Sequence, residues 1–344
     1  MTNYIRGDLL LYTNKGLKRL DKLSKTDLIY DNYSEIDEIT KHNLKGYPYL
    51  FKIKTLHNID NYYLSGNNKI YCIQNIPYDL KMKDCANFIE DNKRICMPTF
   101  INVNELTDFD YIGYPILKDD KDDKDNKNDK DDKDDKDDND DDDDKNDNDD
   151  KDNKNDKDDK DDKDDDKYRF QGLILLDQLI FSLNNNININ TIGFLNKYLH
   201  NNNIPFEIFN NNITTLIKID VKDKPEILKP EEILKLSIDN IKKIIKGFIE
   251  INSVVNTNDK TVFYFLKILF MKIGILLNAN YINNNYVIKI PQTFEENEKN
   301  YFIYDNYIWS RIKKIGKTDK YFGQLYTIKM KNNNKYLTEV GIIS

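Results

Sequence analysis

Three cysteines and three histidines are all that 344 residues contain. Cys72, Cys85, Cys96, His42, His57 and His200 make neither a C-x-x-C nor an H-x-x-x-H spacing. A zinc ribbon has no ligand set here and a disulfide framework has no pattern, which suits an intracellular chain. The first residues, MTNYIRGDLLLY, carry only a three-leucine run, too short for the core of a signal peptide. Later apolar runs are broken by Lys267 and Lys272, so no stretch reads as a membrane span.

A basic excess is also missing. The chain totals −8, but Lys118 to Lys167 consists of 29 Asp, 14 Lys and 7 Asn; this segment nets −15 and leaves +7 for everything else. Such a stretch has no apolar surface to bury, and it reads as a solvated spacer grown by repeat slippage, with weak calcium binding and nucleic-acid mimicry as the other readings. Because the remainder is only mildly basic, a nucleic-acid partner has to be argued from pattern rather than charge.

The pattern is an internal repeat. Phe170-Gln-Gly-Leu-Ile-Leu-Leu-Asp177 corresponds to Lys246-Gly-Phe-Ile-Glu-Ile-Asn252, and Thr191 to Ile219 lines up with Thr261 to Ile290, each reading as helix, turn, strand, Asn-rich turn, strand. Copies lie 75 residues apart at the glycine and 70 at the tail, so a short loop absorbs the difference. A glycine inside an apolar helix costs about 1 kcal/mol against alanine, and two at matching places predict that Gly172 and Gly247 sit where two helices touch. Five residues on, roughly 7.5 Å along a helix axis, stand Asp177 and Asn252.

Twin helices with G-x-x-x-x-D, each followed by strand hairpins, resemble the dodecapeptide (LAGLIDADG) homing endonucleases. The resemblance spans Tyr168 to Glu298 and implies an α/β domain with pseudo-two-fold symmetry that works as a monomer on double-stranded DNA. It implies that one acid from each helix end holds Mg²⁺ against the scissile phosphates, as paired carboxylates bind hard cations through oxygen. Asp177 matches one metal acid; a helix-capping or solvated role is the alternative. Asn252 stands, neutral, in the second acid's place, and Glu250 matches the acidic position beforehand. Hairpin residues Lys218, Lys222, Lys224 and Lys289 would meet DNA phosphates.

Gly7 to Leu117 alternates branched and aromatic residues at period two, as in Tyr49-Leu-Phe-Lys-Ile-Lys54 and Lys69-Ile-Tyr-Cys-Ile73, punctuated by Asn, Gly and Pro, which predicts β-structure. The order Gly7-Asp8, strand, Thr13-Asn-Lys-Gly16, Leu17-x-x-Leu20, Thr26-Asp-Leu-Ile-Tyr30, Ser65-Gly-Asn-Asn-Lys-Ile70 and Phe100 to Pro115 resembles the N-terminal half of an intein of the Hedgehog/intein (Hint) fold. Tyr321 to Met330 and Tyr336 to Ile343 resemble its closing strands. An unrelated small β-domain remains the plainer alternative. Together the resemblances give an α+β multidomain protein: a Hint-like β-domain from 1–117 and 299–344, the low-complexity linker 118–167, and the endonuclease-like domain 168–298.

Splicing in that family needs a Cys or Ser at the first position, a Thr-x-x-His and a terminal His-Asn. Here the first position falls on Tyr4, the Thr and His positions on Ser65 and Asn68, and Ser344 is the last residue before the His-Asn place. An amide side chain cannot move a proton near neutral pH, a service worth about 10²–10⁴-fold. The expectation is a degenerate intein-derived protein, splicing lost and DNA cleavage weak or lost. An active metal-dependent endonuclease and a non-enzymatic, maturase-like nucleic-acid binder are the alternatives.

Overall fold

The computed structural model describes residues 3–14, 16–29, 34–47, 49–116, 165–220, 226–293, 300–331, 335–339 and 341–344. Residues 118–164 of the acidic tract, together with Lys222 and Lys224, lie outside these. The described chain is mixed α+β, with one large antiparallel sheet, two small ones and few helices. Among the described residues no helix is long and apolar enough to cross a membrane.

Contacts divide the chain into two compact units. The first comprises 1–117, 228–235 and 252–344. Its sheet is woven from both ends of the sequence. The strand Ser34–Tyr47 runs antiparallel to Tyr321–Met330, and Ile5–Arg6 lies between Leu325–Tyr326 on one side and Leu64 on the other. Tyr111–Pro115 pairs with Tyr307–Arg311, Leu11 with Thr338, and Ile343 with Ile70. Period-two alternation explains the core: Phe51, Ile53 and Thr55 point inward while Lys52 and Lys54 remain half-exposed, and Ile5, Leu11, Ile53, Leu64, Ile112, Ile308 and Ile343 share one apolar cluster. Cys72, Cys85 and Cys96 are buried free thiols, the first two with pKa raised by burial.

The first unit also contains the tail of the second repeat copy, which the sequence reading groups with 168–298. The reason is the helix Lys260–Met271, capped by Asp259 through Thr261 N at 2.8 Å and buried at every residue from Phe263 to Met271. A helix apolar on all sides must be surrounded; Met271 joins the main sheet core, and Ile268 packs with Tyr12, Leu337 and Ile342. Its counterpart in the first copy, Ile189–Asn201, buries only Thr191, Leu195 and Leu199.

The second unit comprises 118–227 and 236–251. Helical residues 165–173 and the helix Ile238–Ile249 join a three-stranded sheet in which Thr214–Ile219 is central between Ile180–Asn184 and Phe206–Asn210. The second copy's sheet, in the first unit, has the same order: Asn285–Lys289 is central between Val254–Thr257 and Asn278–Ile282. Each copy therefore reads helix, strand, helix, strand, strand, with one strand after the first helix that the sequence reading omits. The turn Asn283-Asn284 has φ of 50° and 63°, the left-handed pair that a two-residue hairpin needs and that asparagine tolerates.

Within the second unit the helices 165–173 and Ile238–Ile249 meet at their glycines. A Cβ on Gly172 would lie 2.0 Å from the carbonyl oxygen of Ile244, and one on Gly247 would lie 2.1 Å from that of Arg169. Backbone touches backbone at both places, and no larger residue fits without moving a helix. Gly247→Ala decides the matter by sign. A helix free of its neighbour gains up to about 1 kcal/mol of helix propensity from the change, whereas overpacking costs about 1–3 kcal/mol; urea unfolding followed by the helical circular dichroism signal is expected to show the loss.

Candidate functional site

Tyr4, Ser65, Asn68 and Ser344 converge in the first unit. The Tyr4 N–H donates to Ser65 Oγ at 2.9 Å, and the Ser65 N–H donates to the Tyr4 carbonyl at 3.1 Å. Asn68 closes the clamp: its Nδ2 donates to the Tyr4 carbonyl and to Ser65 Oγ, each at 2.9 Å. Ser65 and Asn68 are fully buried, and among the described residues Asn68 Oδ1 has no hydrogen-bond partner. Lys69 and Ser344 exchange backbone hydrogen bonds of 3.1 and 2.9 Å, which brings residue 344 beside Asn68. The Ser65-to-Asn68 turn is fixed by the Asn68 N–H on the Ser65 carbonyl at 3.1 Å, and the Val103 N–H on the Asn68 carbonyl at 2.8 Å holds it against the next segment.

The chemistry open to this arrangement is limited by donor type. Ser65 and Asn68 orient and polarise the peptide at Tyr4, but an amide neither takes nor gives a proton near neutral pH. The Tyr4 ring stacks edge-on against His42 at 5.2 Å, so the imidazole nearest to this peptide contacts the phenol ring. His42 Nε2 is held by Thr327 Oγ1 at 3.0 Å.

The endonuclease-type positions are arranged differently from the sequence reading. The α-helix ends at Leu173 and a single 3-10 turn, Leu175–Asp177, follows it; Leu176 and Asp177 have φ of 64° and 59°, so the exposed acid stands at a left-handed break rather than on the α-helix end. Glu250, the C-cap of Ile238–Ile249, has both carboxylate oxygens engaged. Arg169 grips them as a fork at 2.8 and 2.9 Å, and Thr191 Oγ1 adds a third bond at 2.9 Å. Arg169 also lies over the Phe194 ring at 4.0 Å, so Glu250 ties the second copy's helix to two elements of the first copy. Asn252 is half-buried in the first unit, and its carbonyl accepts Gln292 Nε2 at 3.3 Å. Among the described residues no three His, Cys, Asp or Glu converge to hold a metal. Lys218 faces Glu207 across the sheet at 3.8 Å, and Lys289 is exposed on its strand.

A buried polar cluster around Lys267 and Glu339 is one that sequence reasoning passed over. Lys267, read only as a break in an apolar run, is fully buried, with Nζ 2.6 Å from Asn58 Oδ1, 3.4 Å from the Glu339 carbonyl and 4.5 Å from the centre of the Tyr114 ring. Asn58 Nδ2 donates onward to Tyr114 Oη at 2.9 Å, and Tyr62 and Tyr264 share a bond of 3.1 Å. The Glu339 carboxyl, also buried, accepts the Leu10 N–H at 3.2 Å through Oε1, while Lys260 Nζ lies 3.7 Å from Oε2. Desolvation pulls Lys267 down to about 7, partly opposed by Glu339, and burial pushes Glu339 up. His57, against Ser310 Oγ at 2.7 Å, is lowered to about 3 by burial and by Lys267.

No family model matches the sequence. A search of curated proteins likewise gives no match.

A lysine whose folded pKa is depressed contributes stability that is complete above its unfolded value, near 10.5, and that is lost as pH falls toward the folded value near 7. Unfolding free energy is therefore expected to rise by about 2 kcal/mol between pH 7 and 9. In Lys267→Met this gain disappears. Denaturant titrations at the two pH values measure it, and an equal gain in both proteins rules out Lys267 as its source.

Proposed function

We propose that this chain is an intein-type protein that keeps the splicing framework, has lost splicing, and carries an endonuclease-type repeat domain without a working metal centre. The observation that carries this reading is the clamp on the Tyr4 peptide. Tyr4, Ser65 and Asn68 form one hydrogen-bonded cluster beside the bond that splicing would break, and the far end of the sequence reaches it through the Ser344 bonds to Lys69. What the cluster lacks is chemistry. Tyr4 offers a phenol on a bulky ring in place of a compact nucleophile, and Asn68 offers fixed donors in place of an acid or base.

The repeat domain supports the second half of the proposal. The glycine contact between the helices fits the resemblance to the dodecapeptide endonucleases. The acids do not fit Mg²⁺. Glu250 is spent on Arg169 and Thr191, Asn252 is neutral, and Asp177 alone supplies too little charge and too few ligands for a cation that prefers six oxygens. Double-stranded DNA remains the proposed partner of the repeat, and Lys218 in the second unit and Lys289 in the first are the described lysines that would each meet a phosphate.

Expression between two reporter domains tests the reading. The native sequence is expected to yield only the unspliced fusion. In Tyr4→Cys with Asn68→His, dithiothreitol is expected to release the upstream reporter, because the restored thiol attacks the preceding carbonyl and forms a thioester within the same clamp. Ligated reporters from the native sequence, or a repaired variant with native circular dichroism and no thiol-induced release, would each contradict it.

A further inference from the structure

The first unit carries a second polar surface, separate from the Tyr4 clamp and from the glycine-paired helices. The strands Phe51–Thr55 and Tyr307–Lys317 pair so that Lys54 stands directly opposite Lys314, with Lys52 opposite Gly316. Like charges facing each other across a ladder destabilise it. Lys313, thrown out by the irregularity between Ile312 and Lys314, adds a fourth ammonium, and Lys317 a fifth, its Nζ 4.7 Å from the Tyr49 ring. None of Lys52, Lys54, Lys313, Lys314 or Lys317 has a carboxylate within ion-pair distance among the described residues. Of the nearby acids, Asp108 places Oδ1 on the Ile315 N–H of the lysine-bearing strand at 2.8 Å, and Asp60 binds Lys260 at 2.5 Å.

Beside these lysines runs a groove of about 410 Å³ whose walls include Lys54, Lys313, Asn278, Asn280, Tyr281 and Ile282. The strand Asn278–Ile282 is an edge of its sheet. On it the Tyr281 side chain is 56% exposed, held by the cross-strand Tyr286 ring at a centroid distance of 4.9 Å. A supported aromatic face, amide side chains and a row of unpaired ammonium groups form the combination that takes a nucleic-acid strand, with bases stacking on the ring and phosphates on the lysines.

We propose that this groove binds single-stranded nucleic acid. The commitment to a single strand comes from Tyr281: a ring that offers its face needs an unstacked base, and a duplex keeps its bases stacked inside. Phosphate contacts alone would serve either form. The lysine row accounts for affinity and salt dependence, and the tyrosine accounts for the preference.

Fluorescence anisotropy on the whole chain with labelled dT20, U20 and a 20-base-pair duplex, between 50 and 200 mM NaCl, tests the proposal. Both single strands are expected to bind more tightly than the duplex, and the ratio of dT20 to U20 tells which sugar the groove prefers. Changing all five lysines to glutamine is expected to flatten the slope of log K against log salt by about 3.5, since each phosphate contact by a lysine contributes roughly 0.7 on a single strand. Tyr281→Ala is expected to weaken single-strand binding by about 5- to 100-fold at unchanged slope, and Tyr281→Phe to restore it. Absence of binding at 50 mM NaCl overturns the proposal. So does duplex binding equal to single-strand binding with no effect of Tyr281→Ala, and so does a salt slope that the five substitutions leave unchanged in a protein of native circular dichroism.

Discussion

Ile5 and Arg6 hydrogen-bond to Tyr326 and Leu325 on one flank, and Ile5 meets Leu64 on the other. This three-way pairing closes the larger unit, because the strand Ile5–Arg6 joins a segment from the first half of the chain to one from its far end. The same closure continues outward. Leu11 meets Thr338, Ile343 meets Ile70, and the long pair Ser34–Tyr47 with Tyr321–Met330 extends it. A polypeptide that must bring together segments over 300 residues apart tolerates a long insertion between them, since loop-closure entropy grows only with the logarithm of length. The Tyr4 clamp is a local result of that closure.

Buried polar groups follow a common rule in this protein. Asn68 and Ser65 hold a peptide, Glu250 holds Arg169 and Thr191, and Lys267 is held by Asn58 and the Glu339 carbonyl. Each cluster links segments distant in sequence: Asn68 to Tyr4, Glu250 to Arg169 and Thr191, and Lys267 to Asn58. A carboxylate already accepting a bidentate guanidinium is a strut, and replacing it leaves the half-buried Arg169 without its carboxylate. At Asn68 and Glu250 the polar side chains serve internal hydrogen bonds.

Much of this was legible in the residues and some was not. Period-two alternation marked the strands around Ile53 and Ile70, and the matched glycines marked the place where two helices touch, because both signals depend on near neighbours. The strands Ile180–Asn184 and Val254–Thr257 were missed, being short and directly after apolar helices with which their residues blend. Asp177 was expected at a helix end, but the left-handed Leu176 breaks the helix first, and no turn residue announces that break. Lys267 could not be interpreted alone: Asn58 lies 209 residues away and Glu339 lies 72 away, and only the folded sheet brings them together. The same non-local burial moved the helix Lys260–Met271 into the unit with the large sheet.

The central claim is that both ends of the chain build a buried clamp around the Tyr4 peptide, and amide hydrogen exchange at Tyr4 tests it most directly. With its N–H on Ser65 Oγ at 2.9 Å and its carbonyl held by Asn68, the Tyr4 amide is expected to exchange as slowly as those of Ile5 and Tyr326 in the core sheet and to lose that protection in Ser65→Ala. A Tyr4 amide that exchanges at the rate of a free peptide, while Tyr326 remains protected, would contradict the account.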